Sequence, residues 1–363
     1  MREVLPCGEV TTITRLSSLA LHPVHISNSN KVNSMNNSKQ SGIVLIEQPG
    51  APDVLKYQNI TLQQPGPDEV LIAQKAIGVN FLDVFFRNGT FPASQYPAPI
   101  GFEASGIIEE VGTGVKDFTV GDRVAYYASV GAYAERRIIN TNEIFKLPED
   151  ISFEQAAAVM IKGLTAHMLI KQSHKVKPGE VVLIHAMTGG VGTLLSQWVR
   201  ALGATVIGTV GSAVKKELAL RRGFNQVIDL GSEDFIGAVN QYTGGKGVDV
   251  VYDGTGKATF EKSLTVVKDG GSAVLYGWPS GMPDVDEDLL MQRKIKFAHD
   301  ALNDYPLYQD KSGKGMPEIF SLLRNGIFER EQSFIYSLRQ AIAAHADMES
   351  RKTTGSIILK PEL

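Results

Sequence analysis

Two hydrophobic patterns divide this chain of 363 residues near residue 151. Before that point, from about residue 42, short runs rich in β-branched residues alternate with glycine and proline turns, as at 69–80 and 103–111. Runs of this kind are typical of short strands joined by turns. The first region is therefore predicted to be a small β-rich domain.

The second pattern alternates continuous apolar runs with helical ones. Ser152 followed by Gln155 is a helix-capping signal. A continuous apolar run at 180–186, typical of a strand buried on both faces, precedes helical spacing at 191–202. The alternation continues to about residue 277. Strands that alternate with helices predict a doubly wound parallel sheet.

These patterns predict an α/β protein with a Rossmann-type doubly wound parallel sheet beside the β-rich domain. The last apolar run, at 356–359, is not needed by the parallel sheet, so we expect it to return to the first domain. The predicted division is a disordered N-terminal extension at 1–41, the first part of the β-rich domain at 42–165, the parallel-sheet domain at 166–302 and the returning tail at 303–363.

The extension is polar and rich in asparagine and serine at 27–41, without apolar periodicity. Two interpretations of residues 1–34 stay open. They are either an extended start before a natural beginning at Met35, or a segment with a targeting role, which Glu3 and Glu9 argue against.

Composition removes several classes of function. The formal net charge is −3 and no basic stripe is present, so we expect no nucleic-acid partner. No apolar run approaches the roughly 20 residues that span a bilayer, and we predict a cytoplasmic protein. Cys7 is the only cysteine, which rules out a disulfide within the chain and a zinc site built from cysteines.

The glycine cluster at 189–192 carries the first functional signal. It follows the apolar run directly and opens the helical run, with the spacing Ala186-x-x-Gly189-x-x-Gly192. Glycines at such a turn let the backbone approach a pyrophosphate, and the helix N-terminus offers it free N–H groups. The position between strand and helix indicates a nucleotide-binding site.

The next strand region indicates which nucleotide is bound. NAD sites usually carry Asp or Glu about 20 residues beyond the glycine turn, to hold the ribose 2′-hydroxyl. Residues 205–214 contain no acid; they include Ser212, and Lys215 and Lys216 follow. A hydroxyl and a lysine can hold a 2′-phosphate through charge-assisted hydrogen bonds. NADPH is therefore predicted in preference to NADH.

Several segments in order resemble one family. They are KAIGVNFLDVFFRNG (75–89), GFEASGIIEEVGTGV (101–115), KGLTA (162–166), TGGVG (188–192) and ESRKTTGS (349–356). From about residue 42 onward the chain resembles the zinc-independent, zeta-crystallin-like quinone oxidoreductases of the medium-chain dehydrogenase/reductase superfamily. The resemblance implies a GroES-like catalytic domain, an active site in the cleft between the domains, and commonly a homodimer or tetramer, of which we expect the homodimer.

The resemblance also implies residue roles. Phe85 and Phe91 would line the substrate pocket, at positions where the family often has tyrosine. No residue is assigned as a catalytic acid or base. The cofactor contacts implied are Asn80 and Thr165 on the nicotinamide side, Thr188, Gly189, Gly190 and Val191 at the pyrophosphate, Gly211, Ser212, Lys215 and Arg351 at the 2′-phosphate, and Tyr276, Gly277 and Trp278 along the nicotinamide.

Two further predictions concern a zinc site and a catalytic acid. Zinc-dependent relatives have Gly-His-Glu where this chain has Gly101-Phe102-Glu103, so no zinc is expected. His185 ends the buried apolar run beside the glycine cluster. We interpret it as a core histidine rather than a general acid.

The leading functional hypothesis is NADPH-dependent hydride transfer to a quinone in an apolar cleft. One alternative is an enone or alkenal double-bond reductase, which needs a hydrogen-bond donor at the substrate carbonyl; Asn80 is a weak candidate. Another is an NADPH-binding protein without catalytic activity, which predicts saturable binding without turnover. The partner in the catalytic cases is a small-molecule quinone or unsaturated carbonyl.

Overall fold

The computed structural model describes residues 39–329 and 333–361. Most of the predicted disordered extension, 1–38, lies outside these ranges. Within them the first strand begins at Gln40, earlier than the predicted start at 42, because Ser41 is buried and its hydroxyl accepts a hydrogen bond from the N–H of Arg136 at 2.9 Å. The extension is therefore shorter than predicted by at least its last two residues.

The first region is β-rich, with helix α1 (Phe81–Arg87) beside it. Its strands are β1 (Gln40–Ile46), β2 (Leu55–Thr61), β3 (Glu69–Val79), β4 (Ala98–Pro99), β5 (Glu103–Val111), β6 (Arg123–Tyr126), β7 (Arg136–Asn140) and β8 (Phe145–Lys146). One sheet runs β2-β1-β4, and the larger one is built around the antiparallel pair β3 and β5.

The long helix α2 (Phe153–Met168) leads from the first region into the second. Ser152 and Gln155 form the predicted capping box, with the Ser152 hydroxyl accepting from the Gln155 N–H at 3.1 Å and the return bond at 2.9 Å. The helix packs against β5 on one side and against the first helix of the parallel-sheet region on the other. It crosses the predicted boundary at 165 without a break, so both regions share it.

The second region alternates strands and helices. Its strands are β9 (Val181–Ile184), β10 (Thr205–Val210), β11 (Gln226–Asp229), β12 (Val248–Asp253), β13 (Val267–Leu275) and β14 (Lys296–Ala298). Its helices are α3 (Gly190–Ala201), α4 (Ala213–Arg221), α5 (Phe235–Thr243), α6 (Phe260–Ser263) and α7 (Glu287–Gln292).

The strands of this sheet lie in the order β11-β10-β9-β12-β13-β14, and each described neighbouring pair is parallel. The order reverses between β9 and β12, and in open sheets of this kind ligands bind outside the carboxyl ends of the strands at that point. The predicted fold class is confirmed, and the glycine turn after β9 lies at this edge.

The tail returns to the first region. It contains α8 (Pro306–Gln309), α9 (Met316–Arg324), β15 (Phe334–Ser337), α10 (Ala341–Glu349) and β16 (Ile357–Lys360). Strand β16 pairs antiparallel with β3, as expected from the apolar run at 356–359. Before joining that sheet the tail passes the glycine turn, where the N–H of Gly355 donates to the carbonyl of Thr188 at 2.9 Å. Within the described ranges, no helix combines the length and apolar character needed to span a bilayer.

Candidate functional site

The turn between β9 and α3 is shaped by close backbone approach. A Cβ on Gly192 would stand 2.2 Å from the carbonyl oxygen of Ala186, so the helix can begin this close to the turn only with glycine. Ala186 itself has φ of +51°. The first amides of α3 have no acceptor within the helix, and the helix dipole is positive at this end. This geometry is suited to an anion, and the assignment of Thr188, Gly189, Gly190 and Val191 to the pyrophosphate stays a prediction.

Two cations meet at the end of β10. The ammonium of Lys215, on α4, donates to the carbonyl of Thr353 at 2.9 Å and is partly buried. Burial, and then the nearby charge of Arg351, lower the pKa of Lys215. Ser212 stands at the start of α4, and its side chain does not cap the helix. An additional anion between these groups relieves the repulsion between the two cations, which fits a 2′-phosphate.

Lys216, the second lysine considered for the 2′-phosphate, pairs with a carboxylate instead. Its ammonium lies 2.6 Å from Glu233, whose carboxylate also accepts the N–H of Asp229. A lysine neutralised in this way is not available to a phosphate. The structure therefore separates the two neighbouring lysines and leaves Lys215 with Ser212 and the exposed Gly211 in the predicted pocket.

Tyr276, Gly277 and Trp278 follow β13, and Trp278 contacts the first region. The Trp278 ring stacks on Phe85, with ring centroids 5.4 Å apart and planes 21° from parallel. Phe91 meets the same indole edge-on, with centroids at 6.3 Å, and lies 5.5 Å from Phe85. The two predicted pocket residues are thus brought onto the predicted nicotinamide strand end. Aromatic side chains from both regions close the cleft.

Asn80 and Thr165 are buried. The side-chain amide of Asn80 donates to Glu103 at 2.8 Å, and the backbone N–H of Asn80 donates to Asp83 at 2.8 Å. The Thr165 hydroxyl donates to the carbonyl of Ile161, one turn earlier in α2, at 2.8 Å. Both side chains are held in place, and each keeps hydrogen-bonding capacity for a ligand.

Three residues of the site were missed by the sequence analysis. Glu103 and Lys162 form a buried ion pair at 3.6 Å beside Asn80. The signal for Lys162 was visible, since it is a charged residue inside a helix in which every residue from Val159 to Met168 is buried. His299 stands edge-on to Trp278, with centroids at 5.2 Å, and carries no signal in the sequence pattern.

The buried network around α1 holds Asn80 and Phe85 in position. The Tyr133 hydroxyl lies 3.0 Å both from Asp83 and from His345 of α10. Arg87 lies 3.2 Å from the other ring nitrogen of His345. Burial raises the pKa of Asp83 to about 7, whereas burial and the Arg87 charge lower the pKa of His345 to about 3.

His185 has the environment of a core residue. It is fully buried, and its ring nitrogens lie 2.9 Å from the Thr209 hydroxyl and 2.7 Å from the Ser263 hydroxyl. Burial lowers its pKa. This agrees with the interpretation of His185 as a satisfied core histidine.

The position of a zinc-binding histidine in zinc-dependent relatives holds an apolar ring here. Phe102 is buried and packs edge-on against Phe86, with ring centroids 4.8 Å apart. Over the described residues, no group of three or more histidine, cysteine, aspartate or glutamate side chains is arranged to hold a metal ion.

The described residues fit NADPH. The glycine turn forms a cradle that a Cβ on Gly190 would obstruct, at 2.9 Å from Cε of Lys162. The ammonium of Lys162 is buried without a hydrogen-bond partner. Lys215 and Arg351 add positive charge at the position predicted for the 2′-phosphate.

This chain is similar in sequence to known families of dehydrogenases and reductases. Residues 66–149 match the family model described as alcohol dehydrogenase GroES-like domain, and residues 190–311 match the one described as zinc-binding dehydrogenase. The 2-haloacrylate reductase of Burkholderia sp is 40% identical over 88% of this chain and 98% of its own. Quinone oxidoreductase 1 of Escherichia coli K12 is 40% identical over 86% of this chain and 97% of its own.

The fold agrees with these relatives. The crystal structure of Escherichia coli quinone oxidoreductase complexed with NADPH has a TM-score of 0.83 at 38% identity, covering 88% of this chain and all of that one. The class defined by fold and site is that of the medium-chain dehydrogenases/reductases. Within it, this chain belongs to the quinone oxidoreductase family, so the predicted family and the predicted cofactor, NADPH, are confirmed.

Proposed function

We propose that this protein uses NADPH to reduce a quinone in the aromatic cleft between its two regions. The observation that carries the proposal is the stack of Phe85 on Trp278, at 5.4 Å, beside the strand end assigned to the nicotinamide. A planar, apolar acceptor is complementary to such a surface, because flat rings gain from offset stacking as well as from burial. The Escherichia coli quinone oxidoreductases at 38–40% identity support the same reading.

Bound NADPH supplies the hydride, and the protein supplies position and a dry site. The turn at Gly189 and Gly190 would hold the pyrophosphate, and Lys215 with Arg351 would hold the 2′-phosphate. Trp278 and its phenylalanine neighbours exclude water from the acceptor. A quinone needs little help from a protein acid, because its reduced oxygen is stabilised by the ring and takes its proton from water.

A second candidate is reduction of an activated carbon–carbon double bond. The Burkholderia 2-haloacrylate reductase supports it, at 40% identity over most of both chains. Such a substrate needs a donor at its carbonyl oxygen. Asn80 is already engaged with Glu103, whereas the exposed imidazole of His299 makes no hydrogen bond within the described residues and stands against Trp278. His299 is therefore the better candidate donor.

Parallel turnover assays separate the two candidates. NADPH oxidation by the purified full chain is followed at 340 nm with 9,10-phenanthrenequinone and with 2-hexenal. Faster turnover of the quinone, left unchanged within about twofold by His299→Phe, supports the proposal. Turnover of the alkenal alone, lost by roughly 10²-fold or more in His299→Phe as for a general acid, contradicts it. Saturable NADPH binding without turnover of either acceptor favours the non-catalytic alternative.

We also propose a homodimer and a cytoplasmic location, as the sequence analysis predicted. Strand β14 ends the parallel sheet among the described strands. Phe297 on that strand and Met291 of α7 expose 39% and 69% of their surface. An edge strand flanked by exposed apolar side chains supports a pairing between two copies. The cytoplasmic location stays a prediction.

A further inference from the structure

Lys162 is a buried cation whose own chain leaves it incompletely bound. The residue is 5% exposed, and its ammonium makes no hydrogen bond within the described residues. Its nearest opposite charge is the Glu103 carboxylate at 3.6 Å, beyond hydrogen-bond length. That carboxylate is otherwise occupied, since it accepts from the Asn80 side chain and from the N–H of Ile161, each at 2.8 Å.

An ammonium has three donors, and leaving them unmade inside a protein is costly. The Glu103 charge offsets the burial of the Lys162 charge but does not satisfy its donors. Burial raises the pKa of Glu103, and the Lys162 charge opposes that rise. The Lys162 ammonium therefore has donors available for a hydrogen-bond acceptor on a bound ligand.

The side chain of Lys162 lies directly against the glycine turn. A Cβ on Gly190 would stand 2.9 Å from Cε and 3.0 Å from Cδ of Lys162. The absence of a side chain at Gly190 therefore gives the lysine access to the group that the turn binds. Neighbouring Asn80, reached through Glu103, and Thr165, one helical turn along α2, are both assigned to the nicotinamide side by the resemblance.

We propose that the Lys162 ammonium binds the phosphate of NADPH on the nicotinamide side of its pyrophosphate, with Glu103 as the fixed counter-charge that positions it. The inference rests on the proposed use of NADPH and adds a site for its central phosphates. The 2′-phosphate belongs to a separate pocket, with Lys215 and Arg351 near the end of β10. Lys162 thus contributes to dinucleotide affinity without contributing to the choice between NADPH and NADH.

The test measures binding rather than turnover. Lys162→Met keeps the apolar stem and removes the charge. Dissociation constants for NADPH, NADH and adenosine 2′,5′-bisphosphate are measured by calorimetry on the full chain. The bisphosphate carries the 2′-phosphate and the adenosine-side phosphate, but none on the nicotinamide side. The expected result is a roughly 10- to 100-fold loss for both dinucleotides, typical of a charge-assisted hydrogen bond, and no change for the bisphosphate.

Two further variants keep the test decisive. Lys162→Met combined with Glu103→Gln removes both buried charges, and is used if the single variant does not fold. Lys171→Met is the matched control, since Lys171 follows on the same helical segment and pairs with Glu318 at 3.1 Å; its dissociation constants are expected to stay within twofold of the native values.

The outcomes are distinct. Equal loss of all three ligands in both Lys162 variants indicates a general structural role and overturns the inference. Unchanged dinucleotide affinity also overturns it, while native binding of NADPH leaves the proposed function standing. If the native chain binds neither NADPH nor the bisphosphate, the proposed function itself fails, and this inference fails with it.

Discussion

We expect single side chains at the end of β10 to decide the preference for NADPH. Lys215 lies close to the like charge of Arg351, whereas Lys216 is held by Glu233. We expect Lys215→Met to weaken NADPH binding by roughly 10- to 100-fold, the range of a charge-assisted phosphate contact. NADH affinity is expected to change by less than twofold, because NADH has no 2′-phosphate. Titration with both cofactors measures this.

Lys216→Met is the matched control for that experiment. It removes one lysine from the same helix and leaves the pair of Lys215 and Arg351 intact, so its NADPH affinity is expected to match that of the native chain. An equal loss of NADPH and NADH affinity in Lys215→Met is incompatible with the assignment of Lys215 to the 2′-phosphate.

Arg351, which is predicted to bind the 2′-phosphate, has a strained backbone. Its φ is +57°, a conformation that costs a non-glycine residue about 1 kcal/mol or more. Arg351→Gly is expected to raise the free energy of unfolding by about 1 kcal/mol, by relief of that strain. The same change lowers NADPH affinity, because a cation is lost. Urea unfolding and cofactor titration measure the two effects.

Lys294 provides the control, since it lies two residues beyond the end of α7, has a φ of +56° and is not among the residues assigned to the pocket. Lys294→Gly is expected to give the same gain in stability without any change in NADPH affinity. If Arg351→Gly keeps full NADPH affinity, Arg351 does not bind the 2′-phosphate.

The sequence alone could identify residues of the candidate site only where a local sequence pattern points to them. The missing acid at 205–214 pointed to Lys215, but Lys216 was indistinguishable from it until the bond to Glu233 was known. Lys162 and Glu103 are far apart in sequence, and hydrophobic periodicity predicts burial without naming the partner. Their pairing depends on the packing of α2 against β5, which is a tertiary contact.

At the scale of elements, α1 is positioned by titratable groups that respond to pH in opposite senses. The raised pKa of Asp83 gives a stabilising contribution present below about pH 3.8 and lost as the pH rises to about 7. The lowered pKa of His345 gives a stabilising contribution that is present above about pH 6.5 and is lost as the pH falls toward 3. Between pH 4 and 6.5 the two contributions to the free energy of unfolding oppose each other.

Asp83→Asn removes the pH-dependent contribution of Asp83 and keeps a hydrogen-bond acceptor for Asn80 and Tyr133. Only the His345 contribution then remains, so the free energy of unfolding is expected to rise with pH between 4.5 and 6.5. The added slope is at most about 1.4 kcal/mol per pH unit. Urea unfolding at pH 4.5, 5.5 and 6.5 measures it. The same slope in the variant and the native chain argues against this network.

The elements of the parallel sheet were the most predictable part of the fold. Continuous apolar runs and capped helices are local signals, and the box at Ser152 and Gln155 formed as expected. The predicted start of the first strand, at residue 42, was too late, since β1 begins at Gln40. The polar residues at this end have no hydrophobic pattern, so only their contacts in the fold identify them as part of a strand. Ser41 is buried through its bonds to Arg136, which lies in β7.

At the scale of the whole molecule, the proposed cofactor site is assembled from distant segments. The tail bonds to the glycine turn through Gly355 and Thr188, and to α4 through Thr353 and Lys215. The chain therefore closes on itself around the proposed site. Only the resemblance assigned Arg351 of the tail to that site, since no local pattern links it to the glycine turn.

The proposed homodimer is also a property of this scale. The expected solution mass is twice the 39.4 kDa of one chain. Light scattering after size-exclusion chromatography measures it at micromolar concentration. A mass of one chain across the concentrations tested rules out the proposed pairing through the β14 edge.

The central claim, that this chain reduces a quinone with NADPH selected by its 2′-phosphate, is tested most directly by one kinetic comparison. The purified full chain is assayed with 9,10-phenanthrenequinone at several concentrations of NADPH and of NADH, and kcat/KM is obtained for each cofactor. The predicted result is turnover with NADPH at a kcat/KM at least tenfold above that with NADH. Equal values for the two cofactors, or no turnover of the quinone with either, would contradict it.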